Sequence, residues 1–352
     1  MESQLALEAI VEVGILLLAL ASIVAILTKY VRLPYSVLLV IVGFFVGRIG
    51  FLAPLHIKPE VVMVLFLPPL LFESAIHINF AILRRLLKFV ILFALPGVIL
   101  CALLIALLMH IAVPLPLASL LVFGAIVSAT DPLSVISLFK ENRVAQRISL
   151  LVEGESLFND ATAVVLFRVL IGFALAGALT APMWQTVNSG LVSLTVMLVG
   201  GIAVGLTLGL AFSKLFQQVD DHLIEITMSV ILAYLTYLAA EFVHVSGVIA
   251  VVVVGLVIGN YGMTKGMTVT TRVPLLSFWG YVAFVVNSLI FILIGIEVNK
   301  SGLTGFPLWE VGFGFLAVLV ARALTRAFAP SAGTDHAPAA EDAGAGWTSG
   351  GR

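Results

Sequence analysis

Charge is scarce in this chain. Only 11% of its 352 residues are Asp, Glu, Lys or Arg, against about 25% in an ordinary soluble domain. Apolar residues make up 61%, and a single soluble core cannot hide that surplus. The composition excludes a soluble enzyme and points to an all-α polytopic membrane protein. Cysteine is nearly absent: Cys101 stands alone in the apolar run VILCALLIALL, which excludes a disulfide framework and a thiolate metal cluster. The N-terminus lacks the basic region and small-residue cleavage site of a signal peptide, so the first apolar segment is expected to be a retained helix. No basic stripe exists to hold a nucleic acid. GxGxxG, Walker, redox and transition-metal motifs are all missing, so no cofactor is expected.

What the sequence has is long apolar runs. A bilayer core of roughly 30 Å needs about 20 such residues per helix. Eleven segments qualify, at about 8–28, 34–54, 60–78, 87–110, 117–139, 149–176, 187–213, 223–243, 246–262, 277–299 and 308–329. Basic residues gather in the odd-numbered connections, among them Arg84, Arg85, Lys88, Lys140, Arg143, Lys214 and Lys265. The even-numbered connections hold only Arg48, Lys58 and Lys300. The positive-inside rule then places the N-terminus outside and the C-terminal tail in the cytoplasm. That tail, 330–352, has no Leu, Ile, Val or Phe and is expected to be disordered.

The chain also repeats itself. LPYSVLLVIVGFFVGRIG at 33–50 resembles VSGVIAVVVVGLVIGNYG at 245–262, and a polar-interrupted segment follows each. The two stretches lie seven segments apart, an odd offset, so the units run with opposite topology. Inverted repeats point to a transporter with its site where the halves meet. The expected organisation of 8–329 is a first repeat over about 8–176, a linking helix over about 187–213 and an incomplete second repeat over about 223–329.

Ionisable groups at membrane depth are expensive and mark function by default. They crowd into the fifth and sixth segments. SATDP at 128–132 sets Thr130 and Asp131 before Pro132, whose ring disfavours helix at the preceding residue. Two readings stand: a broken helix that exposes backbone for a cation, or a proline kink with Asp131 paired to a backbone group. In LVEGESLFNDATAVVLF, Glu155 with Asn159 and Ser156 with Asp160 are i,i+4 pairs on one broad face. Asp160 is the candidate carrier. A carboxyl group withdrawn from water holds its proton at higher pH, so Na⁺ and H⁺ compete for one group. Glu73 either faces the site or ends its helix. Arg322 needs a carboxylate, and Glu155 is its expected partner. Glu297 and Arg326 are expected to reach the membrane surface. Arg168 has no partner that spacing identifies.

FESAI at 72–76, SATDP at 128–132, EGESLFNDATAVVLF at 153–167, NSLIFILIGIE at 287–297 and ARALTRAF at 321–328 together resemble the NhaP-type bacterial sodium/proton antiporters. These belong to the first cation:proton antiporter family, which includes the animal sodium/hydrogen exchangers. The resemblance runs from about residue 10 to 328. It implies thirteen helices, an inverted repeat with a discontinuous helix, a core domain that moves against a dimerisation domain, and a homodimer in the bacterial inner membrane. It places the ion-binding aspartate on Asp160, with Asn159 beside it in the pattern of electroneutral exchange. Thr130 and Asp131 match the unwound helix, Glu73 and Ser156 match further ligands, and Glu155 with Arg322 matches a buried ion pair. Na⁺ is thus expected at Asp160, Ser156, Thr130 and Glu73. The glycine- and arginine-rich motif of the family's twelfth helix does not occur. The fold is therefore expected to be C-terminally truncated, with about 11 of 13 helices.

The expected function is antiport of Na⁺, or Li⁺ or K⁺, against H⁺ by alternating access, with the bilayer as surroundings and no enzyme activity. Two other readings are open. One is a non-transporting remnant that acts as an interaction subunit. The other is an intramembrane aspartyl protease using Asp131 and Asp160, which the lack of a glycine-rich catalytic loop disfavours.

Overall fold

The computed structural model describes residues 2–31, 33–48, 59–130, 146–175, 183–300 and 308–328. Apolar sequence of this kind must satisfy its backbone internally, and helices do so within one segment. The described chain is accordingly helical throughout. Its helices are α1 (Glu2–Leu27), α2 (Tyr35–Val46), α3 (Pro59–Ile76), α4 (Phe80–Leu92), α5 (Val98–Ala112), α6 (Leu117–Ser128), α7 (Gln146–Leu175), α8 (Met183–Phe216), α9 (His222–Phe242), α10 (Gly247–Val257), α11 (Met263–Gly266), α12 (Val269–Lys300) and α13 (Leu308–Phe328). Single π-helical turns, Phe93–Gly97 and Ile258–Gly262, join α4 to α5 and α10 to α11. Each of the eleven apolar segments contains helix among its described residues, while 49–54 of the second and 131–139 of the fifth lie outside them. Six helical stretches among the described residues are both long and apolar enough to cross a membrane.

Helix starts follow local chemistry. Asp221 accepts hydrogen bonds from the amides of Leu223 and Ile224 and so caps α9, and Ser246 caps α10 through Ile249. Pro34 and Pro116 stand before α2 and α6. Two boundaries differ from expectation. The fourth helix begins at Phe80, not near residue 87, because Arg84, Arg85 and Lys88 sit on the exposed side of an amphipathic first stretch. The fifth apolar segment stops as a helix at Ser128, and Ala129 is extended (φ −58, ψ 145). Asp131 lies outside the described residues, as do Lys140, Arg143 and the tail from 330.

The repeat read from sequence is visible in how glycines pack. Gly43 of α2 lies against the backbone of Ile292 in α12, and Gly47 lies against Ile296. In the other unit, Gly255 of α10 lies against Phe72 and Ala75 of α3, and the following Gly259 lies against Ile76. A Cβ at Gly43 or Gly259 would run into a carbonyl oxygen. Each glycine pair thus seats its helix on the other unit's helix, and the crossing occurs twice. Small residues that let backbones approach are the common device for helix packing in membranes. The fold is an all-α polytopic membrane architecture with inverted repeats.

Three apolar clusters fill the interior. The largest runs through α3, α7, α9, α10 and α12 around Phe72, Tyr237 and Trp279. A second joins α1, α2 and α12, and a third joins α5, α6 and α13 around Ile105 and Ala321. The third cluster lies beside the interrupted end of α6.

Candidate functional site

Three side chains converge where α6 stops. Ser156 of α7 donates its hydroxyl to the Thr130 carbonyl, and the Asn159 side-chain amide donates to Thr130 Oγ1 at 3.1 Å. Ser156 and Asn159 are buried, one turn apart on the same face of α7. The Ser128 hydroxyl turns back to the Ala125 carbonyl at 2.8 Å. The broken helix end is therefore held by α7 side chains in place of its own next turn.

Arg322 of α13 completes the arrangement from the other side. Its Nη2 donates to the carbonyls of Val127 (3.0 Å) and Ala129 (2.8 Å). These are last-turn carbonyls that the interrupted helix leaves without partners. A guanidinium also suits the negative end of the helix dipole. The sequence reading paired Arg322 with Glu155. Both line one small cavity of about 50 Å³, together with Ser128, Thr130, Asn159 and Arg326, but no ion pair joins them. The open carbonyls of α6 compete for the guanidinium, and they win.

The cavity has room for a water or a small ion. Asn159 Oδ1 is buried there without a hydrogen-bond donor. The hydroxyl oxygen of Thr130, which also lines the cavity, adds further lone pairs. These oxygens share the cavity with one carboxylate, Glu155, and two guanidinium groups, Arg322 and Arg326. Asp160 follows Asn159 on α7 and is half-buried, but it is not among the cavity's lining residues. Neither is Glu73, whose carboxylate on α3 lies 3.6 Å from His77 Nδ1. Of the six expected ion-site residues, the structure brings Thr130, Ser156 and Asn159 into contact. Asp131 lies outside the described residues. Glu297 is exposed and pairs with Lys300 at 3.5 Å, as expected of a helix end.

Arg168 finds the partner that spacing could not identify. Its Nη1 lies 2.5 Å from Glu241 Oε1 and its Nη2 lies 3.1 Å from the Tyr237 hydroxyl. This pair ties α7 to α9 across 73 residues. The only hint in the sequence was a lone acid, Glu241, in the apolar run LTYLAAEF.

Comparison with known proteins bears on the family and the fold. A family model described as the transmembrane part of sodium/hydrogen exchangers matches residues 15–347. The Na(+)/H(+) antiporter ApNhaP of Aphanothece halophytica is 40% identical over 81% of this chain and 54% of its own length. The low-affinity Na(+)/H(+) antiporter NhaS1 of Synechocystis is 39% identical over 82% of this chain and 55% of its own. The chain therefore spans little more than half the length of these relatives. The solved structure of the sodium proton antiporter MjNhaP1 from Methanocaldococcus jannaschii superimposes with a TM-score of 0.74 at 24% identity, over 91% of this chain and 77% of that one. This chain belongs to the sodium/hydrogen exchanger family.

Proposed function

We propose that the protein exchanges Na⁺ for H⁺ by alternating access, with Asp160 as the group that carries either ion but not both. The observation that supports this most is the knot of Thr130, Ser156 and Asn159. It holds the interrupted helix against the turn of α7 that carries Asp160, whose side chain is half-buried. Irregular backbone at membrane depth is tolerated where it lines a cavity, and in transporters such breaks form the substrate site. Asp131 shapes the polar crossing beyond Thr130, and Glu73 approaches from α3 in another state of the cycle. With Asn159 neutral, one carboxyl group serves one Na⁺ or one H⁺, and exchange is electroneutral. Arg322 holds the site's geometry and carries no ion; Glu155 supports it from across the cavity.

The protein works as a homodimer in the bacterial cell membrane, with its N-terminus outside and the basic connections in the cytoplasm. The core that moves comprises α4 to α7 with α13. The alternative of an aspartyl protease using Asp131 and Asp160 draws no support from the family match, which is to sodium/hydrogen exchangers, and Asp131 lies outside the described residues.

Everted membrane vesicles from a host without its own antiporters test the proposal. A preformed proton gradient, followed with a pH-sensitive dye, should collapse on addition of Na⁺. It should persist with Asp160→Asn inserted at equal level. Equal collapse in the variant would sink the assignment of Asp160.

A further inference from the structure

A second cavity lies on another side of α7. It is large, about 580 Å³, and is walled by α4, α7, α8 and α10, within the ~300–1,000 Å³ usual for small-ligand sites. Its floor is formed by buried residues such as Thr162, Ile249 and Leu256. Its outer wall comprises Ile91 of α4 with Ile202, Leu206 and Leu210 of α8, all exposed. The cavity therefore opens sideways, between α4 and α8, toward the lipid. Asn260, at one end, has its polar atoms engaged: Oδ1 accepts from the Phe80 amide, and Nδ2 donates to Ile78 and Leu256. A peptide placed here would leave its own amides unpaired, at a cost of several kcal/mol for each in general. A hydrocarbon chain has none to satisfy.

That same end is ringed with cations. Arg84 lies one turn beyond Phe80 and one turn before Leu87, on the stripe of α4 that walls the cavity, and Lys88 follows one turn on. Lys265 stands over the ring of Tyr261, 4.7 Å from its centroid, and Tyr261 lines the cavity. Lys214 lies one turn past Leu210, where the end of α8 meets residues 262–266. All four cations are exposed. Residues 80–92, 183–216 and 247–266 contain no Asp or Glu at all. The first acids after α8, Asp220 and Asp221, lie in the connection to α9, which Asp221 caps.

We infer that this groove seats an anionic phospholipid, with one acyl chain between α4 and α8 and the phosphate on Arg84, Lys88, Lys214 and Lys265. Apolar length fits the chain, and the unopposed basic rim selects the headgroup, as basic pockets between membrane helices do. Phe158 and Thr162, which line the cavity, stand two residues either side of Asp160. The bound lipid thus packs against the helix that carries Asp160, on a different face from the Thr130 contacts. Lipid binding does not depend on whether the protein transports Na⁺.

Phosphatidylglycerol with a photoreactive group in its acyl chain, in phosphatidylcholine liposomes holding the full chain, provides the test. Labelled peptides should contain residues 202–210 and 249–257, and unlabelled phosphatidylglycerol should compete roughly fivefold or more better than phosphatidylcholine. The double variant Arg84→Gln/Lys265→Gln should lose that preference with its helix content unchanged. Leu206→Trp, which fills the mouth, should lose the label at these peptides altogether. The preference in the native chain is informative even if a variant fails to fold. Equal competition by the two unlabelled lipids, or competition by free glycerol phosphate as strong as by phosphatidylglycerol, would overturn the inference. So would a disulfide between two copies carrying Leu206→Cys, formed without lipid label at these peptides, since the groove would then be a contact between copies.

Discussion

The side-chain amide of Asn159 donates to the Thr130 hydroxyl at 3.1 Å, fastening α7 to the residue just beyond the interrupted end of α6. Asp160 is the next residue along. The hydrogen bond therefore fixes α7 next to the residue proposed to carry the ion. Asn159→Ala removes it and leaves the Thr130 hydroxyl without its donor. Loss of a buried hydrogen bond costs about 1–3 kcal/mol, so the Na⁺ concentration for half-maximal exchange should rise on the order of tenfold. Expression and insertion should stay near normal. Concentration dependence of dye recovery in vesicles measures this.

Arg322 acts as a cap for α6. Arg322→Met takes a charged donor from two carbonyls at once, and each such bond contributes about 1.5–3 kcal/mol. The midpoint of thermal unfolding in detergent should fall markedly. Arg322→Lys, which keeps the charge but not the planar fork, should recover part of the loss. Equal stability of the Met variant and the native chain would remove the capping role.

The Arg168–Glu241 pair should show energetic coupling. Its side chains are 25% and 34% exposed, so solvent weakens it relative to a fully buried pair. A double-mutant cycle with Arg168→Met and Glu241→Gln should return about 1–2 kcal/mol. Additive losses would mean that α7 and α9 are held together by other contacts.

The crosswise glycines give a prediction about packing. Gly43→Leu or Gly259→Leu forces a side chain against backbone that cannot yield, and overpacking typically costs about 1–3 kcal/mol or more. Gly280 of α12 has open space around it, and Gly280→Ala should stabilise its helix by roughly 0.5–1 kcal/mol. Thermal unfolding of the three variants side by side measures the contrast.

The parts of the fold legible in the sequence were those set by one-dimensional chemistry. Apolar run length located all eleven helical segments. The resemblance of 33–50 to 245–262 anticipated the paired glycine seats at Gly43 and Gly255. Proline after Asp131 located the break in the fifth segment to within a few residues, though α6 ends sooner, at Ser128. The i,i+4 rule put Asn159 and Ser156 on the side of α7 that meets Thr130.

Side-chain partnership was less legible, because it depends on which of several acceptors lies nearest in three dimensions. Arg322 had an obvious carboxylate in Glu155, yet the uncapped carbonyls of Val127 and Ala129 took the guanidinium. Arg168 had no candidate, since its partner is 73 residues away on a helix with no matching motif. Arg84 and Lys88 read as loop cations, but the helix Phe80–Leu92 runs through them, with Arg84 one turn from Phe80 and Leu87, which line the apolar groove.

Proton release on Na⁺ binding tests the central claim most directly. Purified protein in a weakly buffered solution with a pH indicator should release a proton for each Na⁺ it binds, because both compete for Asp160. Asp160→Asn should abolish the release, while Asn159→Ala should shift it to higher Na⁺. Binding of Na⁺ without proton release, or release that survives in Asp160→Asn, would contradict exchange at this carboxyl group.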